Sequence, residues 1–112
     1  MKITSEELLA RLPGKVTAKW PEGERFARAF AHGTMSVELY APVGTDPQSS
    51  HSQDELYFVI SGTADFVNGE ERMSVSPGTA LFVPAGRPHR FENFSTGLMV
   101  WVVFWGPQGG EP

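Results

Sequence analysis

Along most of the chain, apolar positions fall in short runs of strand length, punctuated by Gly, Pro, Asn and Ser. Phe26–Ala31 and Thr34–Ala41 predict two strands joined near His32-Gly33. Leu56–Ile60 is a continuous apolar run closed by Ser61-Gly62. Thr63–Val67 and Glu70–Val75 flank Asn68-Gly69. An Asn-Gly pair between strand patterns marks a tight hairpin, because both turn positions favour positive φ. Ser76-Pro77-Gly78 predicts a further turn, Ala80–Val83 a short buried strand, and Pro84-Ala85-Gly86-Arg87-Pro88 a rigid corner. Arg90–Phe94 and Leu98–Trp105 complete the series. The start of the chain differs: Thr4 and Glu7 fit a capping box, Leu8, Leu9 and Leu12 form one apolar face, and Pro13-Gly14 stops the helix. Strands that follow one another with a turn every 8–12 residues or so, and no helices between them, predict an all-β antiparallel sandwich or barrel with one short N-terminal helix. A parallel α/β sheet is disfavoured on the same grounds. The stretch Gly106–Pro112 has little to pack and is expected to be a flexible tail.

Composition narrows the picture. A chain of 112 residues is one domain's length. Its 12 Gly and 9 Pro exceed the average combined share of about 12% and fit a chain that turns often. The net charge of −4 offers no basic field for a phosphate backbone, so no nucleic-acid partner is expected. There is no cysteine, which excludes disulfides, thiol catalysis and thiolate zinc sites. The N-terminal residues carry Glu6 and Glu7 where a signal peptide needs an apolar run, and Leu98–Trp105 is far shorter than the roughly 20 residues of a membrane span. The expectation is a cytoplasmic protein with no membrane partner. No serine-hydrolase elbow, phosphate-binding loop or dinucleotide fingerprint is present.

Any metal must therefore be held by His, carboxylate or amide oxygen. Of the three histidines, His51 and His89 stand in informative surroundings. If the strand begins early, alternation turns His51, Gln53 and Glu55 to one side, a set with an imidazole, an amide and a carboxylate. A solvated strand edge would look the same. His89 follows the corner Pro84–Pro88, which can aim it rigidly. His32 sits at a predicted hairpin and reads as a surface residue. Arg90 should point away from its neighbour His89 by alternation. Trp20, Trp101, Trp105 and Tyr57 could line a pocket or fill a core, and Tyr57 shares the parity of Glu55. Asn93-Phe94-Ser95 has the form of a glycosylation acceptor, which is discounted without a secretory signal.

The two segments together resemble the cupin superfamily. Its second motif is a glycine, five residues, a proline, one residue, a glycine, two residues, a histidine, three residues and an asparagine. Gly78, Pro84, Gly86, His89 and Asn93 match every position. The end of its first motif is matched by His51, Glu55 and Gly62. The first motif normally opens with a histidine where this chain has Ser49. The resemblance spans about Met35 to Pro107.

It implies a small single-domain jelly-roll that binds one divalent transition metal, Fe, Mn, Zn or Ni, at His51, Glu55 and His89; Gln53, on the same face by alternation, is the expected fourth contact, as a ligand or as a hydrogen-bond partner of a metal-bound water, and the alternative is a degenerate cupin that keeps the pocket without the metal. Two histidines and a carboxylate suit ferrous iron, so the resemblance points first to a dioxygenase-type enzyme acting on a small molecule. A metal-dependent isomerase or decarboxylase, or a non-catalytic binding or sensing module, are the alternatives. Ligand imidazoles must be neutral, so metal binding should weaken as pH falls toward about 5. Unpaired strand edges and the resemblance together predict a homodimer, with Val16–Trp20 as a strand to be exchanged.

Overall fold

The computed structural model describes all 112 residues. One helix and eight strands run in order: α1 (Ser5–Leu9), β1 (Phe26–His32), β2 (Met35–Tyr40), β3 (Asp54–Ser61), β4 (Ala64–Asn68), β5 (Glu71–Val75), β6 (Ala80–Val83), β7 (His89–Glu92) and β8 (Met99–Trp105). The strands form two antiparallel sheets, ordered β1-β2-β8-β3-β6 and β5-β4-β7. No helix is long and apolar enough to cross a membrane.

The elements follow from the local chemistry. Thr4 caps α1 in an extended conformation, its Oγ1 accepting the Glu7 N–H at 3.1 Å. The helix ends earlier than the Leu12 boundary in the sequence pattern, and its apolar face narrows to Leu8, because Leu9 is exposed. α1 lies against β1 and β2, where Leu8 and Leu39 are both fully buried. The hairpin between β4 and β5 is shifted by one residue from the Asn-Gly expectation. Asn68 pairs with Glu71, so the loop is Gly69-Glu70, and only Gly69 has positive φ. Glycine at the first loop position is the arrangement of a type II′ turn.

β8 supplies the central inner column. Its residues Val100, Val102 and Phe104 each stand between one residue of β2 and one of β3, giving the rows Tyr40–Val100–Val59, Glu38–Val102–Tyr57 and Ser36–Phe104–Glu55. The first row is core. Val59 of this row and Tyr57 of the next are buried in one cluster with Phe66 and Phe91 of the smaller sheet. Phe66 and Phe91 have ring centroids 4.8 Å apart, and Tyr57 meets Phe66 at 5.6 Å. The third row carries Glu55 to the end of the sandwich where the chain enters β3. The opposite face of β3, β6 and β8 is also apolar, and Phe58 and Phe82 are 42% and 52% exposed there. Trp101 and Trp105 belong to this outer face, Trp105 against Phe82 at 6.2 Å, and not to a pocket.

Two expectations need correction. Val16–Trp20 is not a strand. Thr17 and Trp20 exchange backbone hydrogen bonds at 3.0 and 3.1 Å, closing a tight turn, and Gly14 and Lys15 pair with Glu24. The segment folds back on its own chain. Nor is Gly106–Pro112 loose. The Gly109 N–H donates to the Ser52 carbonyl at 2.7 Å, and the Glu111 N–H donates to Asp54 Oδ2 at 2.9 Å. Asp54 also accepts the Ala85 N–H at 2.9 Å. One buried carboxylate thus ties the tail to the Pro84–Pro88 corner, and these hydrogen bonds hold its pKa below the ordinary carboxylate value.

Candidate metal centre

Three elements deliver one side chain each. Glu55 is the second residue of β3, buried on the inner face. His89 opens β7 in the facing sheet, paired with Asn68 of β4. His51 precedes β3 and is held by its backbone: its carbonyl accepts the Gly86 N–H at 2.7 Å. Its ring stands edge-on to Phe104, with centroids 4.9 Å apart. The corner that carries the second motif therefore positions the histidine of the first.

One ligand atom from each of His51, Glu55 and His89 lies within 4.8 Å of the others, a group that could hold a metal ion. His89 Nε2 is 2.8 Å from Glu55 Oε1, and His51 Nε2 is 3.9 Å from the same oxygen. The close approach of His89 to Glu55 lacks the alignment of a hydrogen bond. His89 Nε2 and both Glu55 oxygens are buried with no hydrogen-bond partner. Buried polar atoms are nearly always paired. Three such atoms converging beside His51 are the arrangement that a donor set for a shared cation would have. The other nitrogen of His89 is engaged, Nδ1–H donating to the Arg87 carbonyl at 2.9 Å. That bond fixes the tautomer and presents Nε2 as the free lone pair, the usual outer-shell arrangement for a ligand histidine. The residues present fit a divalent ion.

The electrostatics differ between the two imidazoles. Burial lowers the His51 pKa, only partly opposed by Glu55, which favours the neutral ring a metal requires. Burial also works against charge on His89, but the Glu55 carboxylate and the Arg87 carbonyl outweigh it and raise the pKa.

Gln53 is not brought to this group. Its Nε2 donates to the carbonyls of Thr34 and Gly106 at 3.0 and 2.9 Å. The alternation that would align it with His51 and Glu55 applies only inside a strand, and β3 begins at Asp54. The amide beside the histidine is that of Gln48, whose Oε1 lies 3.5 Å from His51 Nε2 and accepts the Tyr57 hydroxyl at 2.9 Å. Tyr57 is buried, and burial together with the charges of Glu55 and Asp46 pushes its pKa well up. His32 is an exposed turn residue, and Arg90 is exposed and pairs with Glu92.

A cavity of about 440 Å³ opens onto His51 and Glu55. Trp20, Phe26, Tyr40, Tyr57 and Phe104 form aromatic walls, and Lys19, Glu24, Glu38 and Gln48 add polar groups. Sequence reasoning placed Trp20 and Tyr57 among pocket candidates and overlooked Glu38. The available signal was a lone carboxylate between apolar Val37 and Leu39 in a strand. Burial raises its pKa to about 7, with Arg28 opposing and Glu55 and Glu24 adding to the rise. A raised carboxyl keeps in the folded state a proton that the unfolded chain has released. Its contribution to stability therefore falls as pH rises from about 4.5 through about 7. Replacing Glu38 with Gln should remove this loss. In urea unfolding with chelator present, the variant should gain on the order of 2 kcal/mol over the parent between about pH 5 and about pH 8. Parallel pH profiles for the two proteins would refute this.

Comparison with known proteins agrees with this architecture. A protein of Streptomyces coelicolor described as uncharacterized is 49% identical over 76 residues, covering 66% of this chain and 72% of its own. Dimethylsulfoniopropionate lyase DddQ of Ruegeria pomeroyi is 31% identical over 80 residues, covering 69% of this chain but only 40% of the lyase. Its crystal structure superposes with a TM-score of 0.63 at 23% identity over 94% of this chain and 55% of the lyase chain. KdgF from Halomonas sp. superposes with a TM-score of 0.64 at 15% identity, covering 74% and 78% of the two chains. These structural likenesses speak to the fold alone. Residues 36–105, well over half of the chain, match the family described as Cupin domain. On that match, with the jelly-roll sheets and the convergence of the two motif segments on one point, the chain belongs to the cupin family.

Proposed function

We propose that this cupin is a metal-dependent enzyme of the lyase or isomerase kind, which moves protons on a small molecule held in the cavity beside His51 and Glu55. The observation that carries the reading is the set of buried, unpartnered donor atoms on Glu55 and His89 facing His51. A divalent ion bound there supplies Lewis acidity toward a substrate oxygen. The chain's own residues do the rest. Trp20, Phe26 and Tyr40 wall the cavity and exclude water, with Trp20 edge-on to both rings at 6.1 Å. Lys19 puts a positive charge at the rim, where its Nζ donates to Ser49 Oγ at 3.3 Å. Glu38, poised near pH 7 on the cavity wall, can give a proton to a substrate atom or take one from it. The sequence likeness to a dimethylsulfoniopropionate lyase supports the same class of chemistry.

A second reading, a dioxygenase, is favoured by the donor set itself, since two histidines and one carboxylate leave positions open for oxygen and substrate. The two separate on metal dependence. Apoprotein reloaded with redox-inert Zn²⁺ and given dimethylsulfoniopropionate and related small carboxylates should turn one of them over without consuming oxygen. Turnover that requires Fe²⁺ and consumes oxygen in step with product, on phenolic or diketone compounds, would establish the dioxygenase instead. Protein that binds its metal but turns over nothing on either panel would favour a binding module.

A further inference from the structure

We infer that Gln48 is a metal donor through its side-chain carbonyl oxygen, and that Asp46 is the positioning residue that turns this oxygen toward the ion. The inference rests on the metal reading above. The two ends of an amide differ in chemistry, and its neighbours decide which way it points. Gln48 Nε2 donates to Asp46 Oδ2 at 2.7 Å. The same carboxylate accepts the Gln48 N–H at 3.2 Å, the Phe91 N–H at 2.8 Å and the Tyr40 hydroxyl. An ionised carboxylate can only accept, so Asp46 faces the NH₂ end of Gln48 and Oε1 is turned the other way. There it accepts the Tyr57 hydroxyl, which uses one of its two lone pairs. Oε1 also approaches His51 Nε2, at 3.5 Å. That distance is the outer limit of a hydrogen bond, so the contact is a weak one even when His51 carries its proton on Nε2. A metal ligand must present a bare Nε2; with His51 in that form, Gln48 Oε1 and His51 Nε2 are two lone pairs facing the Glu55 and His89 donor group, and a cation there satisfies both.

The position in the chain explains the choice of residue. Ser49 stands where the first motif has its leading histidine, and its Oγ faces Lys19 at the rim rather than the metal group. Gln48, one residue earlier, reaches in from the segment between β2 and β3. An amide oxygen leaves the charge of the site unchanged from that of an imidazole but is a harder donor. Imidazole suits Zn²⁺ and Ni²⁺, whereas carbonyl oxygen suits Mn²⁺. The substitution should therefore tilt the site toward Mn²⁺ relative to a site with three histidines.

The test uses the full-length apoprotein titrated with Co²⁺, followed by its visible d–d absorption, and with Mn²⁺ and Zn²⁺ in competition. Gln48→Leu should weaken Co²⁺ binding about tenfold and change the band. Gln48→His should restore tight binding and improve Zn²⁺ relative to Mn²⁺ by about tenfold or more. A purely structural amide replaced by histidine would leave the Zn²⁺-to-Mn²⁺ preference unchanged, since it gives the ion no donor to exchange. Asp46→Asn should weaken Co²⁺ severalfold alone and add little to Gln48→His, because an imidazole does not need Asp46 to orient it. Circular dichroism of each variant verifies folding, and the Gln48→His metal preference keeps the test decisive if Gln48→Leu unfolds. Parental affinity and an unchanged band in Gln48→Leu, with Co²⁺ binding lost in His89→Ala, would overturn the role of Gln48 and leave the metal site standing. Co²⁺ binding unaffected by His89→Ala would overturn both.

Discussion

Glu55→Gln should abolish tight metal binding and at the same time make the metal-free protein more stable at about pH 8, by about 1–2 kcal/mol. The two effects have one cause. Glu55 is buried, and neither of its oxygens has a hydrogen-bond partner. In the absence of metal both oxygens are held out of water with only the neighbouring imidazoles beside them. A neutral amide of the same shape removes most of that cost and also removes the anionic ligand. Metal affinity should fall by more than about 100-fold, beyond the 10–100-fold typical of outer-shell changes. The order of stability then inverts with conditions. Metal at about 100 times its Kd stabilises the parent by about 2.7 kcal/mol and the variant by almost nothing.

The pH dependence gives a second handle. The His89 pKa is raised in the folded protein, burial being outweighed by Glu55 and the Arg87 carbonyl. A raised imidazole contributes stability that is complete below the ordinary histidine range and is lost as pH rises through the folded value. Glu55→Gln removes that contribution, so its advantage in chelator should shrink or reverse toward about pH 5. Urea unfolding at both pH values with chelator, alongside calorimetric metal titration, measures all of this. A variant destabilised at about pH 8 with metal affinity intact would mean that Glu55 and His89 are a structural ion pair.

The residues of this candidate site could be picked out in the chain because they are tied to local chemistry. His89 follows a corner made rigid by Pro84, Gly86 and Pro88, and Glu55 lies inside a strand whose apolar run declares it. Punctuation by Gly and Pro also placed the strands, since such residues act on their immediate neighbours. Asn93 shows the same local logic: it takes φ of 49°, a left-handed conformation asparagine tolerates better than most residues. What escaped were contacts made between segments distant in sequence. Gln53 was assigned by strand parity in residues that are not strand. Asp46 and Gln48 lie in an irregular segment where no periodicity shows direction, and their orientation comes from Phe91, Tyr40 and Tyr57 on three different strands. The tail is ordered by Asp54, whose second partner lies across the fold at Ala85. Burial of Glu38 likewise depends on Phe26 and Trp20 closing the cavity around it, which one strand's pattern does not reveal.

The motif glycines look equivalent in the sequence and should behave very differently. Gly62→Ala should cost more than about 3 kcal/mol, whereas Gly78→Ala and Gly86→Ala should each cost about 1–2 kcal/mol. All three have positive φ, at 80°, 93° and 80°, so each substitution pays the left-handed penalty. Gly62 adds a collision. A Cβ there would stand 2.7 Å from Leu98 Cα and 2.9 Å from Leu98 N, and Leu98 is buried in the core, so backbone must move. At Gly78 and Gly86 a Cβ meets nothing within 4 Å. The effects on metal binding should rank the other way. Gly62 lies at the end of β3 remote from Glu55, and its replacement leaves the ligand end of the strand in place. Gly86 donates its N–H to the His51 carbonyl at 2.7 Å, so strain there displaces the His51 imidazole. Urea unfolding and metal titration of the three variants should therefore show the least stable one binding metal more tightly than Gly86→Ala. Equal metal affinities for Gly62→Ala and Gly86→Ala would show that the second-motif corner does not set the position of His51, and equal stabilities would show that Leu98 yields to the added methyl.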